Sequence, residues 1–292
     1  MISAAKRDTL FGFVIRFLAM TSAGIMFLVC VFVARESWLA FSSGDGDFQL
    51  TNLATDDAWN PAGQQFNLVP MIVGSWLATV GSAFLAAPLG IGVAVFLNYY
   101  APRNVSWVVR RLVEMMAGVP SVVYGRWGMS VLVPMIAMYS PLQQGQSLLA
   151  GILILAFMTV PTIIVASDAA IQAVPASYIR GAAALGMGRS ATIWTVVIPA
   201  ARLGLITAVI LQFARAIGET MAVLMVCGNI VKTPNSIFEP VRTLTANIAL
   251  EMGYAGDHHR SVLFLSGLVG LAVVTVFMLA ANFLSNSRHP ST

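Results

Sequence analysis

The sequence predicts an all-α membrane protein with six transmembrane helices, and two observations carry that prediction. First, 58% of the 292 residues are hydrophobic and only 10% are charged, whereas a soluble domain carries about 25% charged residues. Second, the apolar residues fall into six runs, and a helix needs ~20 apolar residues to cross a bilayer. The runs cover residues 17–34, 68–97, 115–138, 148–166, 203–228 and 261–284.

The first run follows Lys6 and Arg7, so a cleaved signal peptide is the alternative to a retained helix. Signal peptides have an apolar centre of about 7–15 residues, followed by a small-residue cleavage site. The run here is longer, and no clear site of that kind follows it. We therefore expect a retained first helix, followed by an outer polar segment that ends at residue 67.

The third run has an unusual density of helix breakers, namely Pro120, Gly125, Gly128 and Pro134. A discontinuous helix at membrane depth is tolerated where it is buried in protein or lines a cavity. The sequence therefore indicates that the third helix is interrupted.

The distribution of Lys and Arg orients the predicted helices, because cytoplasmic loops carry the excess of basic residues. With both ends inside, the inner segments hold eight basic residues: Lys6, Arg7, Arg103, Arg110, Arg111, Arg180, Arg189 and Arg288. The outer segments then hold four: Arg35, Lys232, Arg242 and Arg260. We predict cytoplasmic ends in a cell inner membrane, with residues 40–66 and 232–258 outside. This bias also explains the net charge of +4 without a nucleic-acid partner.

Between the fourth and fifth runs lies the segment from Val174 to Pro199, VPASYIRGAAALGMGRSATIWTVVIP. Its alanines favour a short helix, and glycines then interrupt it before Pro199 opens the next apolar run. The spacing resembles the EAA loop of ABC-importer permeases, whose pattern is Glu-Ala-Ala, three residues, Gly, nine residues, Ile, one residue and Leu-Pro.

The Glu-Ala-Ala part of this loop departs from the family pattern at two positions. Arg180 stands where the family has Glu and Gly181 where it has the first Ala, while Ala182, Ala183 and Gly186 keep the spacing. The resemblance implies that these residues form a cytoplasmic coupling helix, which docks in a cleft of a separate ATPase subunit. The alternative is an ordinary cytoplasmic loop of helix-forming alanines, since short motif matches have a high false-positive rate.

Three charged residues fall inside apolar runs: Arg215 and Glu219 in the fifth and Arg126 in the third. A charge at the centre of a bilayer costs at least ~2.5 kcal/mol, so such residues pair with one another or line a polar path. Arg215 and Glu219 are four residues apart, which places them on one face of a continuous helix. They are candidates either for a structural ion pair or for a translocation path.

Two stretches extend the resemblance to phosphate-specific ABC permeases of the C type. One is Arg215-Ala-Ile-Gly-Glu-Thr-Met-Ala-Val and then Cys227-Gly-Asn229; the other is Ala117-Gly-Val-Pro-Ser-Val-Val-Tyr-Gly125 and then Trp127-Gly128. Arg126 departs from the pattern, since an apolar residue is usual there. The resemblance implies a type I permease fold, with a permease domain over residues 68–284. Residues 1–67 then form the first transmembrane helix and a periplasmic segment, and residues 285–292 a cytoplasmic tail.

The resemblance implies a permease subunit that carries inorganic phosphate through the bilayer. It also implies a second permease subunit, ATPase subunits and a periplasmic phosphate-binding protein as partners. The chemistry suits an anion, because Arg offers a planar fork of donors that stays charged when desolvated. Three alternatives stay open: a permease for sulfate or molybdate, a secondary transporter or channel that works without ATP, and a subunit that mainly signals phosphate status.

No enzyme signature accompanies these features. The sequence has no phosphate-binding loop of the Gly-x-x-x-x-Gly-Lys-Ser/Thr type, so ATP hydrolysis is expected on another subunit. His258 and His259 are adjacent and lack further ligands at suitable spacing, which indicates polar-surface histidines rather than a metal site. We expect no cofactor and no metal.

Overall fold

The computed structural model describes residues 4–42 and 49–286, and it is almost entirely helical. Its first half contains helices α1 (Ala4–Ser42), α2 (Asn52–Thr55), α3 (Val69–Tyr99), α4 (Arg103–Ala117), α5 (Ser121–Trp127) and α6 (Val133–Tyr139). Its second half contains α7 (Leu148–Gln172), α8 (Ala176–Ala184), α9 (Arg189–Thr192), α10 (Ile198–Ile217), α11 (Met221–Val226), α12 (Leu244–Glu251) and α13 (Asp257–Asn286). The predicted tail beyond residue 286, with Arg288, lies outside the described residues.

A small hairpin follows α2. Strands β1 (Trp59–Asn60) and β2 (Gln65–Phe66) pair antiparallel, with Trp59 opposite Phe66. A single 3₁₀ turn, Pro61–Gly63, connects them. The hairpin leads directly into α3.

Six helical stretches are long and apolar enough to cross a membrane, as the sequence predicts. They are Phe11–Phe41, Val69–Tyr99, Ser121–Tyr139, Leu148–Gln172, Arg189–Ile217 and Asp257–Ala281. The predicted start of the fifth run at residue 203 is wrong, because the helix already begins at Arg189. The fifth run is also interrupted, since its helix ends at Ile217 and α11 begins only at Met221.

The predicted interruption of the third run is confirmed, and it lies at the first of its breakers. Helix α4 ends at Ala117, and α5 starts at Ser121 after Pro120. The other predicted breakers do not interrupt the helix. A π-helical turn, Gly128–Leu132, joins α5 to α6 and immediately precedes Val133 and Pro134.

A second π-helical turn, Ile193–Val197, joins α9 to α10 and precedes Ile198 and Pro199 in the same way. A proline inside a helix lacks the N–H that would bond the carbonyl four residues earlier, and its ring clashes with that carbonyl. A wider π turn accommodates both effects, and such turns occur frequently at functional sites.

Helix α7 lies at the centre of the bundle, and α3 packs along it through small residues. A Cβ atom at Gly90 would lie 2.5 Å from Cγ2 of Ile163, and one at Gly81 would lie 2.7 Å from Cδ1 of Ile152. Glycine is therefore what lets the two helices approach. At the edge of the bundle α1 packs against α13, where the rings of Phe32 and Phe264 meet edge to face.

We call the end of the bundle that carries α8 the loop end, and the opposite end the far end. At the far end, the buried Glu251 carboxylate accepts hydrogen bonds from Trp59 (2.8 Å) and Arg242 (2.7 Å). His259 Nε2 lies 2.9 Å from the same carboxylate. The prediction that His259 is a polar-surface histidine is wrong, since its side chain is only 12% exposed. The cluster ties the hairpin to α12, α13 and the preceding loop.

The loop between α11 and α12 covers the start of α7. The N–H groups of Leu148 and Leu149 donate to the carbonyls of Glu239 and Ile237, at 2.9 and 2.8 Å. A hydrogen bond from the Asn235 N–H lowers the pKa of the Glu239 carboxyl, and nearby Lys232 lowers it further. The loop is thus held through its own backbone and two ion pairs, Lys232 with Glu239 and Arg242 with Glu251.

Candidate translocation and coupling sites

The two interrupted helices meet in the middle of the bundle. Gly125 of α5 faces α11, because a Cβ atom there would lie 3.0 Å from Cα of Ala222 and 2.9 Å from the Met225 sulfur. The neighbouring Tyr124 packs its ring 5.8 Å from that of Phe157, which lies near the middle of α7. The contact between α5 and α11 therefore lies at membrane depth.

Arg215 lies in the last turn of α10, just before this interruption, and its side chain is exposed in the single chain. Within the described ranges Arg215 forms no ion pair. Arg215 lies within the fifth candidate span, two residues before its end.

The predicted pairing of Arg215 with Glu219 is wrong. The helix ends at Ile217, so the two residues do not share a continuous helical face, and no ion pair between described residues joins them. Glu219 instead caps α11, since its Oε1 accepts from the Ala222 N–H at 3.2 Å. Its carbonyl accepts a 2.7 Å bond from the Thr245 hydroxyl of α12. Glu219 thus holds the interruption in place.

Arg126 lies in the last turn of α5, next to the glycine that contacts α11. Its side chain is exposed, and in the part of the chain that the structure describes it has no acidic partner. Arg126 therefore lies on α5, which packs on α11, and Arg215 lies on α10, which precedes α11 in the chain. Among the described residues no ion pair joins either arginine to Glu219. An exposed arginine at this depth is too costly against lipid, so it faces a polar path or another protein surface.

The predicted coupling segment folds as the sequence indicates. Helix α8 contains Arg180, Gly181, Ala182 and Ala183, and it stops at Leu185. Gly186 has a φ of +72°, and the next residue, Met187, donates its N–H to the Ala182 carbonyl at 3.1 Å. The Gly186 N–H bonds the Ala183 carbonyl at 3.0 Å, which completes a glycine-terminated helix end of the Schellman type.

Most of this helix faces outward. Ala182 is buried, but Arg180, Gly181, Ala183 and Gly186 are exposed, and Leu185 is 82% exposed. Ile179 anchors the inner side, because it packs on a buried cluster formed by residues of α3, α7 and α10. Leu185 is thus exposed at the end of a helix that Ile179 anchors to the bundle. An exposed apolar side chain in such a position is suited to bind another protein.

A polar cluster at the loop end links three helices, and the sequence analysis did not identify it. Asp168 of α7 accepts from Asn98 of α3 (2.6 Å), Arg110 of α4 (2.9 Å) and Gln172 (2.8 Å). Asp168 and Gln172 are one helical turn apart, so their spacing alone is enough to predict that they contact each other. The contact with Arg110 depends on how α4 packs, which the sequence does not indicate.

Comparison with known proteins decides the family. The chain matches the model of the family described as "Binding-protein-dependent transport system inner membrane component" over residues 86–288. The chain belongs to that family. This rules out the ATP-independent secondary transporter as the class, and the prediction of a type I importer permease fold is confirmed.

Individual relatives agree with this family. The chain is 42% identical over 234 residues to a probable ABC transporter permease protein YqgH of Bacillus subtilis, covering 79% of this chain and 76% of that one. It is 32% identical over 296 residues to the phosphate transport system permease protein PstC of Mesorhizobium japonicum, covering 94% and 89%. The fold resembles that of a bacterial ABC transporter involved in the import of alginate, with a TM-score of 0.68, 15% identity and 98% of both chains covered.

Proposed function

We propose that this chain is the membrane permease subunit of an ATP-driven phosphate importer and forms part of the path for inorganic phosphate. One observation carries the proposal: two exposed arginines without acidic partners among the described residues lie within candidate membrane spans. Arg126 is on α5, which packs on α11, and Arg215 is at the end of α10, just before α11. The relatives that are named as phosphate permeases support phosphate as the anion.

The arrangement accounts for binding of an anion. Arg215 donates a planar fork of N–H groups that matches phosphate oxygens. Because Glu219 caps α11 rather than pairing with Arg215, the guanidinium is available without displacing a carboxylate. Glu219 is then a positioning residue, and Arg126 is a second cation on α5, which packs on α11.

The exposed arginines also imply partners. A second permease subunit would complete the polar path on the side that this chain leaves open. ATPase subunits would dock on α8, and a periplasmic phosphate-binding protein would deliver the anion at the far end. In this arrangement the loop end and both chain ends are cytoplasmic, and ATP is hydrolysed by the ATPase subunits rather than by this chain.

The test is uptake of radiolabelled phosphate into proteoliposomes that contain the assembled importer. Arg215→Gln removes one charge-assisted interaction, worth ~1.5–3 kcal/mol, so uptake at low phosphate should fall roughly ten- to hundred-fold. Folding should change little, because no described carboxylate loses its partner. Arg202→Gln is the matched control, since Arg202 is exposed on the same helix and has no ion pair within the described ranges.

Competition identifies the anion. Excess sulfate or molybdate should leave labelled phosphate uptake unchanged. Inhibition by either at equal concentration would assign the path to another oxyanion. Normal uptake by the combined Arg215→Gln and Arg126→Leu variant would show that neither arginine meets the anion.

A further inference from the structure

A basic cavity lies at the loop end, where the second and fourth spans finish. It has a volume of about 610 Å³, and its wall includes Trp107 and the polar residues Asn98, Arg103, Arg110, Arg111, Glu114 and Gln172. Asn98 and Gln172 are at the ends of α3 and α7, so the cavity opens at the boundary of the apolar layer. It is separate from the arginines proposed for the translocation path.

The charges of the cavity leave an excess of one positive charge. Arg110 is neutralised by Asp168 at 2.9 Å, and Arg111 is paired with Glu114 at 2.8 Å. Arg103 is exposed and forms no ion pair with any described residue. The Arg111–Glu114 pair is itself open to solvent, with side chains 63% and 51% exposed, and such a pair is weak. The cavity therefore suits a group with a single negative charge.

Helix α4 carries three distinct faces. Ser106 and Val113 are buried against the bundle, while Arg103, Trp107, Arg110 and Arg111 point to the cavity. The third face is an exposed apolar stripe at helical spacing: Val105, Val108, Leu112 and Met115. The stripe borders the basic face along the whole helix.

The stripe leads from the cavity towards the interior of the apolar layer. Arg110 contacts Asp168 near the end of α7, and Val113, one turn further along α4, packs with Ile164, one turn earlier in α7. Helix α4 thus runs back along α7. A molecule with its anionic group in the cavity would find an apolar surface continuing inward from it.

We infer that this cavity binds the headgroup of an anionic phospholipid, with an acyl chain along the apolar stripe of α4. A phosphodiester with one negative charge complements the excess charge, and an aromatic residue such as Trp107 is favourable at the headgroup level. A bound lipid would hold α4 in place. Through the Arg110–Asp168 contact it would also steady the end of α7, from which α8 follows within four residues.

The experiment measures quenching of Trp107 fluorescence by brominated lipids around the purified full-length chain in phosphatidylcholine nanodiscs. The Trp107 signal is the difference between the wild type and Trp107→Phe. Brominated phosphatidylglycerol should quench it at a lower mole fraction than brominated phosphatidylcholine. Equal quenching by the two lipids would overturn the inference, whatever the variants show.

The variants test the charge. An arginine near an anionic surface contributes roughly five-fold in binding, so Arg103→Gln should raise the half-quenching mole fraction of phosphatidylglycerol about five-fold. Arg202→Gln is the control and should leave that mole fraction unchanged. An equal shift in both variants would mean a general charge effect and would refute the site.

Two further arms identify the occupant. Recovery of Trp107 fluorescence on addition of inorganic phosphate would show that free phosphate takes the cavity in preference to lipid. Loss of quenching when the chain is purified with its partner subunits would show that a protein covers α4. Either result would overturn the assignment to a lipid, and neither depends on whether the chain transports phosphate.

Discussion

Substitutions at Gly186, at the end of α8, can separate two effects on docking: the backbone conformation of this residue and contact of its side chain with a partner. Gly186 has a φ of +72°, and a Cβ atom there would have nothing within 4 Å. A side chain at this position therefore meets no steric obstacle within the chain, and its only cost is the left-handed backbone conformation. That cost is ~1–2 kcal/mol for an ordinary L residue and lower for Asn.

We predict a graded series in which Gly186→Asn is tolerated, Gly186→Ala is impaired and the β-branched Gly186→Val is worst. If docking needs the helix to end as observed, a cost of ~1–2 kcal/mol weakens assembly with the ATPase subunit roughly five- to thirty-fold. The assay is the concentration of ATPase subunit that gives half-maximal co-purification, together with phosphate-stimulated ATP hydrolysis.

Gly188 provides the matched control. It is two residues away and also has open space at its Cβ position, but its φ is −68°. The same three substitutions at Gly188 should have little effect. If the effect at Gly186 follows side-chain size, with Asn worse than Ala, contact with the partner rather than backbone conformation limits docking, and the reasoning fails.

Three other predictions follow from the same structure. Gly90→Ala should lower the midpoint of thermal unfolding by the equivalent of ~1–3 kcal/mol, because its methyl group would clash with Ile163. Gly92→Ala, on the same helix but with open space around it, should leave the midpoint unchanged. Equal effects of the two substitutions would contradict the close packing of α3 on α7. Arg180→Glu introduces the acid of the family pattern at this position and should preserve or strengthen binding of the ATPase subunit. Loss of assembly would show that the partner has adapted to arginine. In a variant without native cysteines, Ala58→Cys should react with an impermeant thiol reagent applied from outside intact cells. Ser190→Cys should not react under the same conditions. The reverse pattern would invert the proposed orientation.

Local sequence patterns predicted the elements that depend on local chemistry. The six apolar runs are visible because crossing a bilayer requires length and apolar composition together. The end of α8 was also predictable, since Gly186 supplies a backbone conformation that few other residues adopt. Pro120 marked the interruption of the third helix, because a proline disfavours the helical conformation in the residue before it.

The features that sequence reasoning missed depend on contacts between distant residues. The Glu251 cluster joins Trp59 to a carboxylate 192 residues later, and no local pattern encodes that contact. The interruption after Ile217 was missed because the apolar run continues through it and Gly218 alone is a weak signal. Missing that interruption led directly to the wrong pairing of Arg215 with Glu219.

One continuous helix connects the two proposed sites. The fifth span begins at Arg189, five residues after the end of α8, and ends two residues beyond Arg215. Its 29 residues correspond to a length of roughly 40 Å at the rise of an α-helix. A displacement of α8 by a partner would therefore reach Arg215 through a single element rather than through a chain of side-chain contacts. The only irregularity on the way is the π turn before Pro199, so the helix can bend there while its Arg215 end moves as a unit.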